Sequence, residues 1–323
     1  MEENKSQNSK SNSNSIRKAN HAGSWYTEDP DDLNTELKQY LNQSQQTVDV
    51  NEQGQMKALI GPHAGFRFSG PTAAWAYINI KNPEQYKRVF LLGPSHKVYL
   101  DNIATTACDE WETPLGNLKI DHITITELIQ NGKEQELFQQ ISKKYEENEH
   151  SLEMHIPFIR KMFEGREDVT LVPLMVGQIP DDKFDRYAEL LMPYFLDQQT
   201  LFIVSSDFCH WGKRFQFTLR YQDQDKSEPI HKSIEKLDHE GMSLIQNHDF
   251  NGFKQYLKTL KNTICGRYPI QVLLAVINKV EQTQQYKCST KFVKYAQSSE
   301  IQMDEDDSSV SYASSYTLLQ KLQ

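Results

Sequence analysis

The 323-residue chain has a formal net charge of −9, with 37% hydrophobic and 24% charged residues, a balance that fits a globular protein and excludes fibrous or collagen-like classes. No Lys/Arg block is long enough to follow a phosphate backbone, so nucleic acid is excluded as an expected partner. The apolar runs are far shorter than the roughly 20 residues a spanning helix needs, so no membrane span is expected.

The chain opens on MEENKSQNSKSNSNS, polar and repetitive and without an apolar h-region. Residues 1–15 are therefore expected to be a disordered tail rather than a signal peptide, ahead of one domain over 16–323. With no export signal the expected location is cytoplasmic. There Cys108, Cys209, Cys265 and Cys288 remain thiols.

Next, DDLNTELKQYLNQ places Leu33, Leu37, Tyr40 and Leu41 at helical spacing behind an Asp cap. KALI reads as a strand, and PTAAWAYINI as a helix with Pro71 in its permitted first turn. RVFLL, NIATTA, DVTLVPLMVG and TLFIVSS are further strands. They are interleaved with the helical stretches DKFDRYAELLMPYFL and SIEKLDHEGMSLIQ and with PIQVLLAVINKV, opened by Pro269. KFVKYAQSS and SSVSYASSYTLL follow as late, antiparallel strands, and the acidic run MDEDDSS at 303–309 reads as a solvated loop. Continuous apolar strands alternating with helices predict an α/β single domain, a mostly parallel central sheet flanked by helices.

Such sheets bind ligands beyond the carboxyl ends of their strands. In KALIGPHAG and RVFLLGPSH, His63 and His96 each leave a strand there, after Gly-Pro pairs expected to force a sharp turn. The two rings are open to three roles: metal ligands, an acid/base pair, or capped loop histidines. In LFIVSSDFCHWGKRF, Asp207 and His210 are spaced i, i+3, so in a helical turn the carboxylate would orient the ring as a general base. NEHSLEMHIPF holds His150, Glu153 and His155. On a regular helix His155 sits about 140° from His150, so the three cannot chelate one ion, and they read as substrate-facing or structural. Cys265, in NTICGRYPI, lies near a helix N-terminus and beside Arg267, which should favour its thiolate. If His63, His96 and Cys265 converge, the donor set is two imidazoles and one sulfur, which suits zinc and copper. Neither a G-x-S-x-G elbow nor a P-loop or G-x-G-x-x-G is present, so no nucleotide is expected.

The stretches HAGSWY, PHAG, GPSH, EHSLEMHIPF, SSDFCHWG, NTICGR and YAQSS with SSVSYAS occur in that order from His21 to Ala313. Together they resemble the Memo family, named for mediator of cell motility. That family is similar in fold to the class III extradiol dioxygenases, non-haem iron enzymes that open catechol rings. There two histidines and a glutamate hold the iron, and another histidine is the acid/base. The resemblance implies that His63 and His96 are metal ligands, that Cys265 stands in place of the glutamate, and that His210 is the acid/base residue. The thiol changes the charge and softness of the site, which argues against ring cleavage.

The resemblance also implies iron or copper as cofactor and a role in cell motility, cytoskeletal regulation and redox and receptor signalling. Phosphotyrosine-containing signalling proteins would be recognised in the same pocket. Trp25 lines it by the same match, and the charge of Arg267 suits phosphate. Three readings follow: a metal-binding regulatory protein, an active metal-dependent oxidoreductase on a small molecule, and a metal-free phosphotyrosine-binding scaffold.

Overall fold

A computed structural model describes residues 15–45, 54–223 and 226–322. The expected tail at 1–15 lies outside the described residues except for Ser15, whose amide donates to Asp109 at 2.8 Å.

Five parallel strands form the centre of the sheet, in the order Leu118–Ile120, Thr170–Val176, Arg88–Pro94, Thr200–Ser205, Gln55–Gly61. The long strand Ser309–Lys321 continues the sheet antiparallel to Gln55–Gly61 and pairs on its other side with Tyr286–Gln297. This is the late antiparallel pair that the sequence predicts. In Arg88–Pro94 and Thr170–Val176 every residue but the first is buried, which explains their unbroken apolar runs.

Helix Phe184–Leu196 packs on Arg267–Gln282, and the latter lies over the strands at 88–94 and 200–205. Phe66–Tyr77 contacts the strands at 55–61 and 309–321 and carries Pro30–Gln43 on its far side. The cap expected for that last helix is Asp29, whose carboxylate accepts from the amides of Asp31 and Asp32, both at 3.0 Å; Leu33, Leu37 and Leu41 face inward.

Two local expectations are corrected. The second helix begins at Phe66 rather than at Pro71, because the Phe66 amide donates to Trp25 O at 2.9 Å and lets the chain start winding earlier; Pro71 sits inside the helix. Gly61 and Gly93 are strand residues rather than turn formers. They are glycines for close approach: a Cβ on Gly93 would lie 3.0 Å from Ser151 Oγ, and one on Gly61 3.1 Å from His155 Cε1. The segment from 151 to 155 crosses directly over these strand ends.

Candidate functional site

The parallel register sets Gly61 beside Ser205 and Pro94 beside Val176, so the segments that carry His63, His96 and Asp207 all leave the sheet at one end. The crossing segment is stitched to that end: Ser151 Oγ donates to Pro94 O at 2.7 Å, and Ser205 Oγ donates to Ser151 O at 2.7 Å. Its preceding residues, Glu149 and His150, are thereby delivered to the strand exits.

His63, His96 and His150 form one cluster, each offering a ring nitrogen within 4.8 Å of the other two. The His96 and His150 rings stack at 4.6 Å and 12°, and His63 meets both edge-on, at 5.3 and 5.4 Å. Two of the three rings are held by their Nδ1 atoms. The Ser205 hydroxyl spends its one proton on Ser151 O, so at 2.6 Å from His63 Nδ1 it accepts, which leaves His63 Nε2 with a free lone pair. Glu149 accepts from His96 Nδ1 at 2.8 Å and from the His96 amide, so the ring is held through Nδ1 and its Nε2 is left to a ligand. His150 Nδ1 lies 3.4 Å from the same carboxylate and makes no hydrogen bond.

Burial disfavours a proton on two of these rings. Burial, and then the neighbouring histidines, hold His63 well below its ordinary value; burial lowers His150 to about 3. Burial alone would raise Glu149, but the His96 hydrogen bond and the nearby imidazoles outweigh it and bring the carboxyl down to about 2. Imidazoles backed by an ionised carboxylate are a donor set that suits iron, copper or zinc.

Cys265 stands at the edge of the cluster, with Sγ 3.2 Å from His63 Nε2 and accepting from the Asp207 amide at 3.2 Å. Gly266 makes this placement feasible, since a Cβ there would fall 2.4 Å from Ser206 Cβ and 2.5 Å from Ser205 O. The expected thiolate is not favoured: burial, then the Asp207 charge, push the thiol up. Arg267 holds its guanidinium over the Tyr268 ring, 5.6 Å from the centroid, and makes no hydrogen bond to the sulfur.

Asp207 and His210 do not pair as a helical turn would have them. Residues 206–209 are not helical, and His210–Trp211 is a short strand paired with Ser309 and Val310. Asp207 Oδ1 accepts from the His63 amide at 2.8 Å and the Ala64 amide at 3.3 Å, so the carboxylate shapes the His63 loop. Burial pushes this carboxyl up, against the pull of His210 and the two amides. His210 Nδ1 faces two carbonyls, Phe208 O at 2.9 Å and Thr263 O at 3.2 Å, so Nδ1 carries the proton and Nε2 is free.

His96, His210, Cys265 and Arg267 line a cleft of about 550 Å³. Trp25 belongs to a neighbouring cleft of about 1010 Å³ and packs against His150, tilted at 36° with ring centroids 4.4 Å apart, covering the cluster from that side. Glu153 and His155 line neither cleft. Glu153 is fully buried and bonded to Arg17 at 2.6 Å, His21 at 2.7 Å and Tyr26 at 2.9 Å; His155 is bonded to the Tyr77 hydroxyl at 2.7 Å. The substrate-facing alternative for these two therefore gives way to the structural one.

Glu149 and Ser205 are missing from the sequence reading. Glu149 left one signal, a carboxylate immediately before a histidine in the stretch NEH. Ser205 left none, because its partners lie far away along the chain.

An α/β domain with a histidine cluster at the exits of parallel strands is the class that fold and site define. A family profile described as "Memo-like protein" matches residues 17–316. Protein MEMO1 of Homo sapiens is 42% identical over 298 residues, covering 92% of this chain and 95% of that protein. "Protein memo-1 homolog" of Caenorhabditis elegans is 39% identical and covers 92% of this chain and 81% of its own length. Among solved structures, an uncharacterized protein from Escherichia coli K12 aligns over 80% of this chain and 99% of its own, with a TM-score of 0.48 at 12% identity. The chain belongs to the Memo family.

Proposed function

We propose that this protein binds a transition metal, iron or copper, on the imidazoles of His63, His96 and His150, with the Cys265 sulfur beside His63, and that it serves as a metal-dependent regulator of cell motility, cytoskeletal and redox signalling in the cytoplasm. One observation carries the metal reading. His63 and His96 are each tethered through Nδ1, which leaves Nε2 of both rings to a ligand in a cluster completed by His150, and burial disfavours a proton on His63 and His150. Buried imidazoles that disfavour a proton still attract a soft or borderline divalent cation. A bound metal would supply Lewis acidity or one-electron chemistry. The protein's own contribution is to fix the rings, through Ser205 and Glu149, and to shield them beneath Trp25.

A second reading, an oxidoreductase on a small molecule, draws on His210. Its ring lines the same cleft, fixed through Nδ1 and with Nε2 available to take or give a proton. Asp207 serves this arrangement through the His63 loop. Recognition of phosphotyrosine-containing proteins draws on the aromatic face of Trp25 and the charge of Arg267, although the two residues lie in neighbouring clefts.

The test is the iron, copper and zinc content of protein purified under reducing conditions, beside His63→Ala and His96→Ala. Near-stoichiometric metal in the parent, lost in both variants, supports the assignment. No metal after loading with iron(II) and copper(I) sinks it and leaves the phosphotyrosine scaffold as the surviving account.

A further inference from the structure

The segment that delivers Glu149 and His150 runs from the short helix Lys143–Glu147 to the 3-10 turn Glu153–His155, and residues 148–152 between them are neither helix nor strand. Arg17 holds this segment from a distant part of the chain. It belongs to a two-residue strand, Ile16–Arg17, that pairs in parallel with Glu110–Trp111. Its side chain is fully buried, with the guanidinium over the Trp111 ring at 4.6 Å. Nη2 donates to Glu146 O at 2.9 Å and to Glu149 O at 3.0 Å, while Nη1 donates to the Glu153 carboxylate at 2.6 Å and to Lys18 O at 2.7 Å. All four N–H groups at the ends of the fork are spent, three of them on the segment 146–153. Two backbone amides of the same N-terminal stretch add further ties, Lys18 to Glu147 Oε1 at 2.9 Å and His21 to Glu153 Oε1 at 2.8 Å.

The ion pair with Glu153 needs only a cation. The two carbonyl contacts need a planar fork of fixed geometry, which lysine lacks. They fix the peptide of Glu149, whose carboxylate in turn accepts from His96 Nδ1, from the His96 amide and from the Ser151 amide at 3.0 Å. A shift of that peptide moves the carboxylate and releases the His96 ring.

We propose that Arg17 is a positioning residue of the histidine cluster: its guanidinium holds the Glu149 peptide, Glu149 holds His96, and the donor set is assembled only when the N-terminal strand is docked. The consequence for metal rests on the proposed metal site; the positioning of His96 does not.

The test compares the full chain with Arg17→Lys, which keeps a cation opposite Glu153 and removes the fork. Leu191→Ala, at a fully buried position of helix Phe184–Leu196, is the control for a general loss of stability. Amide hydrogen exchange is followed on chelator-treated protein, and zinc affinity by competition with a chromophoric chelator. After correction for global unfolding, the His96 and Ser151 amides should exchange about tenfold or more faster in Arg17→Lys than in Leu191→Ala. Zinc affinity should fall about tenfold in Arg17→Lys and stay at the parent's value in Leu191→Ala. Should Arg17→Lys fail to fold, the pair Arg17→Gln with Glu153→Gln, which leaves no charge buried between them, takes its place beside Glu153→Gln alone.

Exchange of the His96 and Ser151 amides equal to the control's overturns the positioning role, whether or not metal binds. Faster exchange there with unchanged zinc affinity overturns its link to the donor set. A parent that takes up no zinc, iron or copper refutes the metal site, and the exchange comparison alone then decides for or against Arg17.

Discussion

Glu149 holds His96 at two points, accepting from the ring Nδ1 at 2.8 Å and from the backbone amide of the same residue. The carboxylate is buried, with its pKa held near about 2, so it is ionised throughout the physiological range. It therefore fixes the tautomer of His96 and raises the basicity of the nitrogen that faces the cluster. Replacing it by glutamine keeps the shape and removes the charge. Metal affinity of Glu149→Gln should drop about 10- to 100-fold, read by competition with a chromophoric chelator. An affinity equal to the parent's would remove Glu149 from the site.

His150 and Cys265 compete for the place of third donor, and the geometry favours the imidazole. His150 has a nitrogen within 4.8 Å of both other rings, whereas the Cys265 sulfur is close to His63 Nε2, at 3.2 Å. His150→Ala should lose metal about as severely as His63→Ala. Cys265→Ser should retain iron and zinc while weakening copper(I), the softer ion, by more. The comparison needs only metal content after loading with each ion.

Much of the scaffold was legible from spacing and caps. The Asp29 cap and the leucines at 33, 37 and 41 defined the first long helix, and the unbroken apolar runs at 88–94, 170–176 and 200–205 marked buried parallel strands. His63 and His96 were legible because each leaves such a strand where an α/β sheet builds its sites.

The rest failed where backbone geometry was assumed. A regular helix would separate His150, Glu153 and His155 by 100° per residue, but only Glu153–His155 forms a short 3-10 turn, and His150 precedes it in a different conformation. The same assumption paired Asp207 with His210 across a stretch that is not helical. Ser205 acts through contacts across the fold that no local pattern encodes. Cys265 was read from its neighbours in sequence, while burial decided its protonation.

The buried pair of Arg17 and Glu153 offers a stability test. Both side chains are fully buried, and Glu153 also accepts from His21 and Tyr26. Arg17→Met alone should cost about 3–5 kcal/mol in urea unfolding, because a buried carboxylate loses its compensating charge. Replacing both, with Glu153→Gln added, should recover part of that loss. A cost below about 1 kcal/mol for Arg17→Met, the range of exposed pairs, would contradict this account.

Asp238 makes a pH-dependent prediction away from the histidine cluster. It is fully buried and accepts from the Asn262 amide group and the Tyr295 hydroxyl, both at 2.9 Å. Burial raises its pKa to about 6, above the unfolded value of about 3.9. The folded state therefore binds this proton more tightly. Its contribution is fully present below the unfolded pKa and is lost as pH rises through about 6, a change on the order of 3 kcal/mol. Unfolding curves between pH 4 and 7 should show the parent losing stability relative to Asp238→Asn over that interval. A constant difference would mean that the carboxyl does not titrate there.

The most direct measurement is electron paramagnetic resonance of the copper(II)-loaded protein, with nitrogen couplings compared among the parent, His150→Ala and Cys265→Ser. The account predicts couplings from three imidazoles in the parent, two in His150→Ala and three again in Cys265→Ser. A parent spectrum with two imidazoles that is unchanged by His150→Ala and altered by Cys265→Ser would contradict the three-histidine centre.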